Sequence, residues 1–374
     1  MHHLVVVGTR PELIKVAPFI HYLQKVNAQF TLVDTQQHFD YQMNEIFFKQ
    51  LNLPRPNFSF SPPRDNPLKY IGYFINELID LLINQKPDVV YAQGDTNSVL
   101  ATAIASHRLY IPFIHIEAGI RSFDLSMPEE INRMIADDCG SLLCCPTHLN
   151  VKNLQNENKP TSRIIKTGNT IVDILKQLIE SKSYKKNALE NYKDQLDNQG
   201  FLILTMHRPA TVDNPIIIQK VLKTLKTIPL KIIFPVHPRT MSILKKLNLL
   251  ESLSNSNLIL SSPIGYFEFL ELLYQSKGVI TDSGGIPEET TTLNIPCIIL
   301  RSKTDRPEAL ETGLAQLVDP FDPYFDKILQ HALKVILEQK NDTKQFNLTF
   351  GDGHASERIY TITKQRFEDG TLGL

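Results

Sequence analysis

The chain has little that would staple, anchor or charge it. Its 374 residues include four cysteines, two of them adjacent (Cys144, Cys145), a spacing that makes neither a disulfide framework nor a zinc site. Charge of one sign is missing too. Lys+Arg 39 against Asp+Glu 40 leaves -1, so there is no basic field for nucleic acid and no acidic tail. No apolar run approaches the roughly 18 residues that span a bilayer. The opening Met1-His2-His3-Leu4-Val5-Val6-Val7-Gly8 enters a strand pattern directly, with no small-residue cleavage site. G-x-G-x-x-G, G-x-x-x-x-G-K-[ST] and H-E-x-x-H do not occur, nor does an Asp-x-Asp pair. The expectation is a cytoplasmic protein with no metal, no nucleic-acid partner and no membrane partner.

What is present is ordinary globular material, with 42% hydrophobic and 21% charged residues. The length suits two domains with a sizeable core in each. Strand patterns fall at 3–7, 31–35, 88–92, 113–116 and 141–145, then at 201–204, 231–235, 257–260, 278–281 and 295–300. Helical periods lie between them, among others at 11–25, 96–109, 129–138, 215–225 and 266–275. Such alternation predicts parallel sheets covered by helices on both faces. Ten strands in two sets of five predict an α/β chain of two doubly wound Rossmann-like domains, with no short internal repeat. The boundary is expected near Gly168, where a further strand pattern at 164–166 gives way to a helix opening at Thr170. The domains are then 1–168 and 169–354. The polar stretch 181–198 predicts an exposed helix or loop, and 54–67, with its prolines, an ordered surface loop.

Ligands in open α/β sheets bind beyond the carboxyl ends of the strands, where the unusual polar residues of this chain gather. Arg10, Asp95 and Glu117 follow strands in the first half; His207, His237, Asp282-Ser283 and Arg301 do so in the second. Singly, each has a plain explanation. Asp95 could cap a helix, Glu129 and Arg133 could be a solvated i,i+4 pair, and Glu12 could favour a helix start. Together at strand ends they point to two rims of one cleft. The clearest motif runs over 278–289: a strand, then Asp282-Ser283-Gly284-Gly285, then Pro287-Glu288-Glu289 opening a helix. Small residues there let a ligand approach the backbone, and a helix N-terminus offers N–H groups to an anion. A diphosphate suits that turn, with Glu289 placed to accept ribose hydroxyls.

These segments, in order, resemble the non-hydrolysing UDP-N-acetylglucosamine 2-epimerases over more than three hundred residues. The resemblance is carried by Gly8-Thr9-Arg10-Pro11-Glu12 with Lys15, Gln37-His38, Gly94-Asp95-Thr96 and His115-Ile116-Glu117-Ala118-Gly119-Ile120-Arg121-Ser122. It continues through Pro128-Glu129-Glu130-Ile131-Asn132-Arg133, Gly168-Asn169-Thr170, His207-Arg208 and Pro235-Val236-His237-Pro238. Asp282-Ser283-Gly284-Gly285 with Glu288-Glu289, Arg301, Arg306-Pro307-Glu308 and Gly351-Asp352-Gly353 complete it.

The resemblance implies a GT-B-like fold, with a C-terminal helix of about 355–374 crossing back onto the first domain, and a homodimer. It also implies reversible conversion of UDP-GlcNAc to UDP-ManNAc for cell-surface polysaccharide or glycan synthesis. Anti elimination of UDP gives 2-acetamidoglucal, and UDP, retained in the site, returns by syn addition. The acetamido group at C2 bars a transient oxidation, so no redox cofactor is implied. Asp95, Glu117 and Glu129 match the family's catalytic carboxylates and His207 its cleft histidine. Arg10, Lys15, Arg133 and His237 match cleft-lining residues. Ser283, Gly284, Gly285, Glu289 and Arg301 fall at the UDP contacts, and Phe269 matches an aromatic near the uracil. Carboxylates crowded together are expected to raise one another's pKa. The chain departs from the family at Pro287, usually Gln, and at Pro209-Ala210-Thr211-Val212, which removes a carboxylate beside His207. It departs again at Phe39, usually Arg in bacterial members, so activation through a second UDP-GlcNAc site is not expected. Alternatives are a hydrolysing relative releasing ManNAc and UDP, a 2-epimerase of a modified UDP-2-acetamido sugar, a GT-B glycosyltransferase, and a nucleotide-sugar-binding sensor without chemistry.

Overall fold

The structure, a computed structural model, describes residues 1–37, 47–63, 66–338 and 345–373; His38 and Phe39 lie outside them. The chain divides into two compact units, Met1–Lys176 with Phe350–Leu374, and Gln177–Thr349. The division falls inside a helix, Thr170–Glu180, a few residues beyond Gly168.

Unit 1 is built on a seven-stranded parallel sheet in the order β3-β2-β1-β4-β5-β6-β7. The strands are β1 (His2–Val7), β2 (Gln29–Asp34), β3 (Phe58–Ser59), β4 (Val89–Gln93), β5 (Phe113–Ile116), β6 (Leu142–Cys145) and β7 (Ile164–Lys166). Central strands such as β4 are buried along their whole length, as a parallel sheet covered on both faces requires, and so read as continuous apolar runs. The helices are α1 (Arg10–Lys25), α2 (Tyr70–Gln85), α3 (Asn97–Arg108), α4 (Pro128–Cys139), α5 (His148–Asn156) and α6 (Thr170–Glu180). Strand order reverses direction between β1 and β4, which opens a crevice at their carboxyl ends.

Unit 2 repeats the plan with six parallel strands in the order β10-β9-β8-β11-β12-β13. They are β8 (Phe201–Thr205), β9 (Lys231–Pro235), β10 (Leu258–Ser261), β11 (Gly278–Thr281), β12 (Cys297–Ile299) and β13 (Ala315–Leu317). The helices used below are α7 (Pro209–Val212), α8 (Pro215–Leu225), α9 (Pro238–Lys246), α10 (Leu250–Ser254), α11 (Tyr266–Gln275) and α12 (Ile286–Thr292). Here the reversal lies between β8 and β11.

Three expectations need correction. The sheets have seven and six strands rather than five each: β7 joins the first, and the short edge strands β3 and β13 were not foreseen. β3 lies inside the proline-rich stretch expected to be loop, and Pro is compatible with such an edge. The stretch 181–198 is not simply exposed, because Tyr184, Ala188 and Tyr192 are buried. It is strapped to α11, whose Glu271 carboxylate accepts from the N–H of Lys186 (2.7 Å) and Ala188 (2.9 Å).

The last helix, Ala355–Glu368, belongs to unit 1 and packs on α1. Asp173 of α6 accepts from its first N–H groups, Ala355 at 3.1 Å and Ser356 at 2.7 Å. Gly351, at φ +140°, passes so close that a Cβ would sit 3.2 Å from the Asn169 nitrogen and 3.3 Å from the Gly168 Cα. Arg358 closes the clasp, donating to Asp352 (2.7 Å) and to the Thr167 carbonyl (3.1 Å). Gly168-Asn169-Thr170 and Gly351-Asp352-Gly353 are thus two halves of one backbone clasp, a structural role.

Candidate active site

In unit 1 the polar groups collect where β1, β4 and β5 end. After β1 the backbone turns into α1, and Glu12 ties the turn. Its carboxylate, 4% exposed, accepts from the N–H of Gly8 (2.7 Å) and Thr9 (2.8 Å) and from the Thr96 hydroxyl. Thr9 caps the same helix, completing a capping box. Burial pushes the Glu12 carboxyl up to about 7, with these hydrogen bonds opposing. Since Thr96 follows Asp95, Glu12 joins the turn carrying Arg10 to the loop carrying Asp95. The Arg10 guanidinium lies 5.7 Å from the centre of the Phe47 ring.

Glu117 stands just past β5 at φ +73°. A side chain in that left-handed region costs about 1–3 kcal/mol and is concentrated at functional sites. Its buried carboxylate accepts from Lys15 Nζ at 2.7 Å and from the amide of Gln93, the last residue of β4. Asp95 is met by the Arg133 guanidinium from α4, and its carbonyl accepts from Asn132 Nδ2 at 2.9 Å. Arg133 also reaches Glu130 at 3.2 Å, and Glu130 accepts from the N–H of Ser122 and Phe123, both at 2.9 Å.

Of the three carboxylates matched to catalysis, two therefore meet cations: Glu117 with Lys15, and Asp95 with Arg133. Glu129 is exposed on the first turn of α4. Asp95 and Glu117 thus each stand in a carboxylate–cation pair. Arg133 is buried, so a solvated Glu129–Arg133 surface pair does not describe it. Gln93, Glu130 and the tie made by Glu12 were not foreseen. Gln93 carries no signal beyond being the last polar residue of an apolar strand.

In unit 2 the buried Asp282 organises the turn after β8. Its carboxylate accepts from the N–H of His207 (2.9 Å) and Arg208 (2.8 Å), and lies 3.2 Å from His207 Nδ1. A carboxylate beside His207 is thus supplied by the residue just past β11, 75 residues on. The His207 ring is 5.6 Å from that of His237, centre to centre. His237 caps α9, its Nδ1 accepting from the Arg239 N–H at 3.2 Å, which leaves Nε2 as the protonated nitrogen.

Beside His207, two guanidiniums and a carboxylate gather at the turn 282–285. A Cβ on Gly284 would lie 3.5 Å from an Arg208 nitrogen, 3.5 Å from one of Arg301 and 3.4 Å from Asp305 Oδ1. Burial and the neighbouring Arg208 pull Arg301 below its usual value, with Asp305 opposing at 3.2 Å. Two guanidiniums crowded at a glycine are what an entering phosphate would relieve. Ser283 donates its N–H to Thr281 Oγ1 (2.9 Å), while Gly285 has open space where a Cβ would be. Pro287 is the second helical residue, not the first. Glu289 is buried, and the buried Tyr266 hydroxyl is driven up by burial and by that carboxylate. Phe269, expected near a base, is half-buried on α11. Arg208 was legible as half of His207-Arg208 but not as a partner of Arg301. Among the described residues, no group of three or more His, Cys, Asp or Glu could hold a metal ion, and no helix is long and apolar enough to cross a membrane.

Comparison with known proteins identifies the family. Residues 21–364 match the family model described as UDP-N-acetylglucosamine 2-epimerase. A protein of that name from Methanocaldococcus jannaschii is 38% identical over 363 residues, covering 96% of this chain and 97% of the relative. The crystal structure of the M. jannaschii UDP-GlcNAc 2-epimerase in complex with UDP-GlcNAc and UDP superposes with a TM-score of 0.88 at 37% identity, covering 98% of this chain and 100% of that one. A UDP-2,3-diacetamido-2,3-dideoxy-D-glucuronate 2-epimerase from Pseudomonas aeruginosa is 32% identical, covering 96% of this chain and 98% of the relative. With that family model matched over residues 21–364 and relatives of that name aligned over nearly the whole chain, the chain belongs to the UDP-N-acetylglucosamine 2-epimerase family.

Proposed function

We propose that the protein interconverts UDP-GlcNAc and UDP-ManNAc without releasing free sugar, using no metal and no redox cofactor, with UDP retained between the half-reactions. The pairing of Asp95 and Glu117 with Arg133 and Lys15 supports this reading, because two carboxylates that could transfer protons each stand beside a cation at the strand ends of unit 1. One carboxylate takes the proton from C2. The C–H electron pair becomes the C1=C2 bond of 2-acetamidoglucal, and the C1–O bond breaks with its electrons leaving on UDP. A phosphate oxygen then re-forms the bond to C1 while a proton is delivered to the other face of C2. Cations lower the barrier by meeting charge that develops on the leaving diphosphate, and acid/base groups supply the proton transfers. Arg208, Arg301 and the Gly284 turn would hold that diphosphate; Glu289 would hold the ribose and Phe269 the base. His207, backed by Asp282, would act near the glycosidic bond. A homodimer working in the cytoplasm to supply polysaccharide or glycan synthesis belongs to the same proposal.

Proton NMR with UDP-GlcNAc in D2O and no added cofactor tests it. The expected result is UDP-ManNAc, with deuterium at C2 of both sugars. Free ManNAc accumulating with UDP would show the hydrolysing reaction, and binding without exchange would show a sensor. The P. aeruginosa relative favours a second reading, a 2,3-diacetamido uronate as the sugar. Faster turnover of that UDP-sugar than of UDP-GlcNAc would establish it.

A further inference from the structure

Behind the unit 1 carboxylates lies a buried ionic chain that the chemistry above does not use. His115 of β5 and Asp137 of α4 are 0% and 1% exposed. The two ring nitrogens of His115 each face an oxygen. Nδ1 is 2.6 Å from Asp137 Oδ1, and Nε2 is 2.8 Å from the Gly94 carbonyl. A carbonyl can only accept, so Nε2 carries a proton. The other oxygen of Asp137 accepts from Arg121 (2.7 Å) and from the Gly119 N–H (3.2 Å). Arg121 in turn forks onto Glu157, at 2.6 and 2.7 Å. A carboxylate with that many donors accepts at both oxygens, so Nδ1 donates to Asp137 as Nε2 donates to the Gly94 carbonyl. Burial alone would raise the Asp137 carboxyl, but His115 and Arg121 outweigh it and hold it low.

What this ring joins gives it its meaning. Gly94 immediately precedes Asp95. His115 lies on β5, two residues before Glu117, which stands just past the strand's end. Asp137 lies one turn after Arg133, the partner of Asp95, on α4. We propose that His115, bonded through both ring nitrogens to Gly94 and Asp137, is the positioning residue that fixes Asp95, Glu117 and Arg133 relative to one another. It does not touch the reacting atoms. The inference rests on the proposed epimerase reading, since spacing between the two carboxylates matters when both serve one carbon. A misplacement on the order of 1 Å in such a site costs about 100-fold in rate.

The test has two arms. Neutron diffraction from the unaltered protein should show hydrogen on both His115 nitrogens; hydrogen on one alone overturns the assignment. In the second arm, His115→Gln keeps an amide placed like Nε2, and His115→Asn keeps one placed like Nδ1. Counted per UDP-binding site by calorimetry, so that unfolded protein drops out, both should lose at least tenfold in kcat with KM within about threefold. A purely structural role would reduce the number of binding sites and leave kcat per site unchanged. That result with an active unaltered enzyme overturns the positioning role, as does failure of both variants to fold combined with hydrogen on one nitrogen. If the unaltered protein converts neither UDP-GlcNAc nor the UDP-linked 2,3-diacetamido uronate, the epimerase reading falls, and the positioning role with it.

Discussion

Glu12 makes the sharpest quantitative test of the unit 1 geometry. Its carboxyl is raised from 4.5 to about 7 by burial, so the folded chain holds this proton more tightly than the unfolded one. The stability that proton provides is fully present below about pH 4.5 and is lost as pH rises through about 7. A shift of that size corresponds to roughly 3 kcal/mol at 1.36 kcal/mol per unit. Glu12→Gln removes the titration but keeps the shape. The amide oxygen can still accept from Gly8 and Thr9, and the amide nitrogen can donate to the Thr96 hydroxyl. The difference in stability between Glu12→Gln and the unaltered protein should therefore move by about 3 kcal/mol in the variant's favour between pH 4.5 and 7.5. For a unit of this size that is on the order of 6–12 °C in melting temperature. Scanning calorimetry of both proteins at pH 4.5, 6.0 and 7.5 reads it. A difference that stays constant over that range would refute the buried, proton-holding Glu12.

Other consequences follow from the same packing. Lys15→Met strands the Glu117 carboxylate without its ammonium, and breaking a buried pair in this way costs about 3–5 kcal/mol; thermal melts should show the loss. Adding Glu117→Gln should recover most of that stability but no turnover. His3, 1% exposed and bonded to the Tyr91 hydroxyl at 2.9 Å, is lowered to about 4, chiefly by burial. The stability it contributes is present above about pH 6.5 and lost as pH falls toward 4, so His3→Gln should flatten the acid limb of a stability–pH profile. Gly284→Val should weaken UDP binding at least tenfold in calorimetry, because its methyl groups would occupy the space between Arg208 and Arg301. Unchanged affinity would move the phosphate elsewhere.

Periodicity reported the central strands closely: 113–116, 231–235 and 278–281 were read to the residue. It missed β3 and β13, which are two and three residues long at sheet edges and owe their existence to a neighbouring strand rather than to their own pattern. The candidate site was legible as positions and illegible as pairs. Arg10, Asp95, Glu117 and His207 stand out because charged groups at the ends of apolar strands have few structural reasons to be there. That Arg133 meets Asp95 across 38 residues, or that Asp282 backs His207 across 75, depends on strand order, which no local spacing encodes. The Gly351-Asp352-Gly353 segment was visible in the sequence without its reason, which is a close backbone crossing against Gly168 and Asn169.

The way unit 1 is completed has a consequence for synthesis. His3 and Tyr91 lie in the first part of the chain, yet His3 also stacks on Tyr360 of the last helix, ring centres 5.5 Å apart. About 270 residues separate Tyr91 from Tyr360, and at roughly 5–20 residues per second that is a wait on the order of tens of seconds on the ribosome. Throughout it the nascent first unit presents an uncovered aromatic face, while unit 2, contiguous in the chain, can finish folding earlier. Nascent chains stalled at successive lengths would therefore mature in inverted order, with the segment made second becoming protease-resistant first.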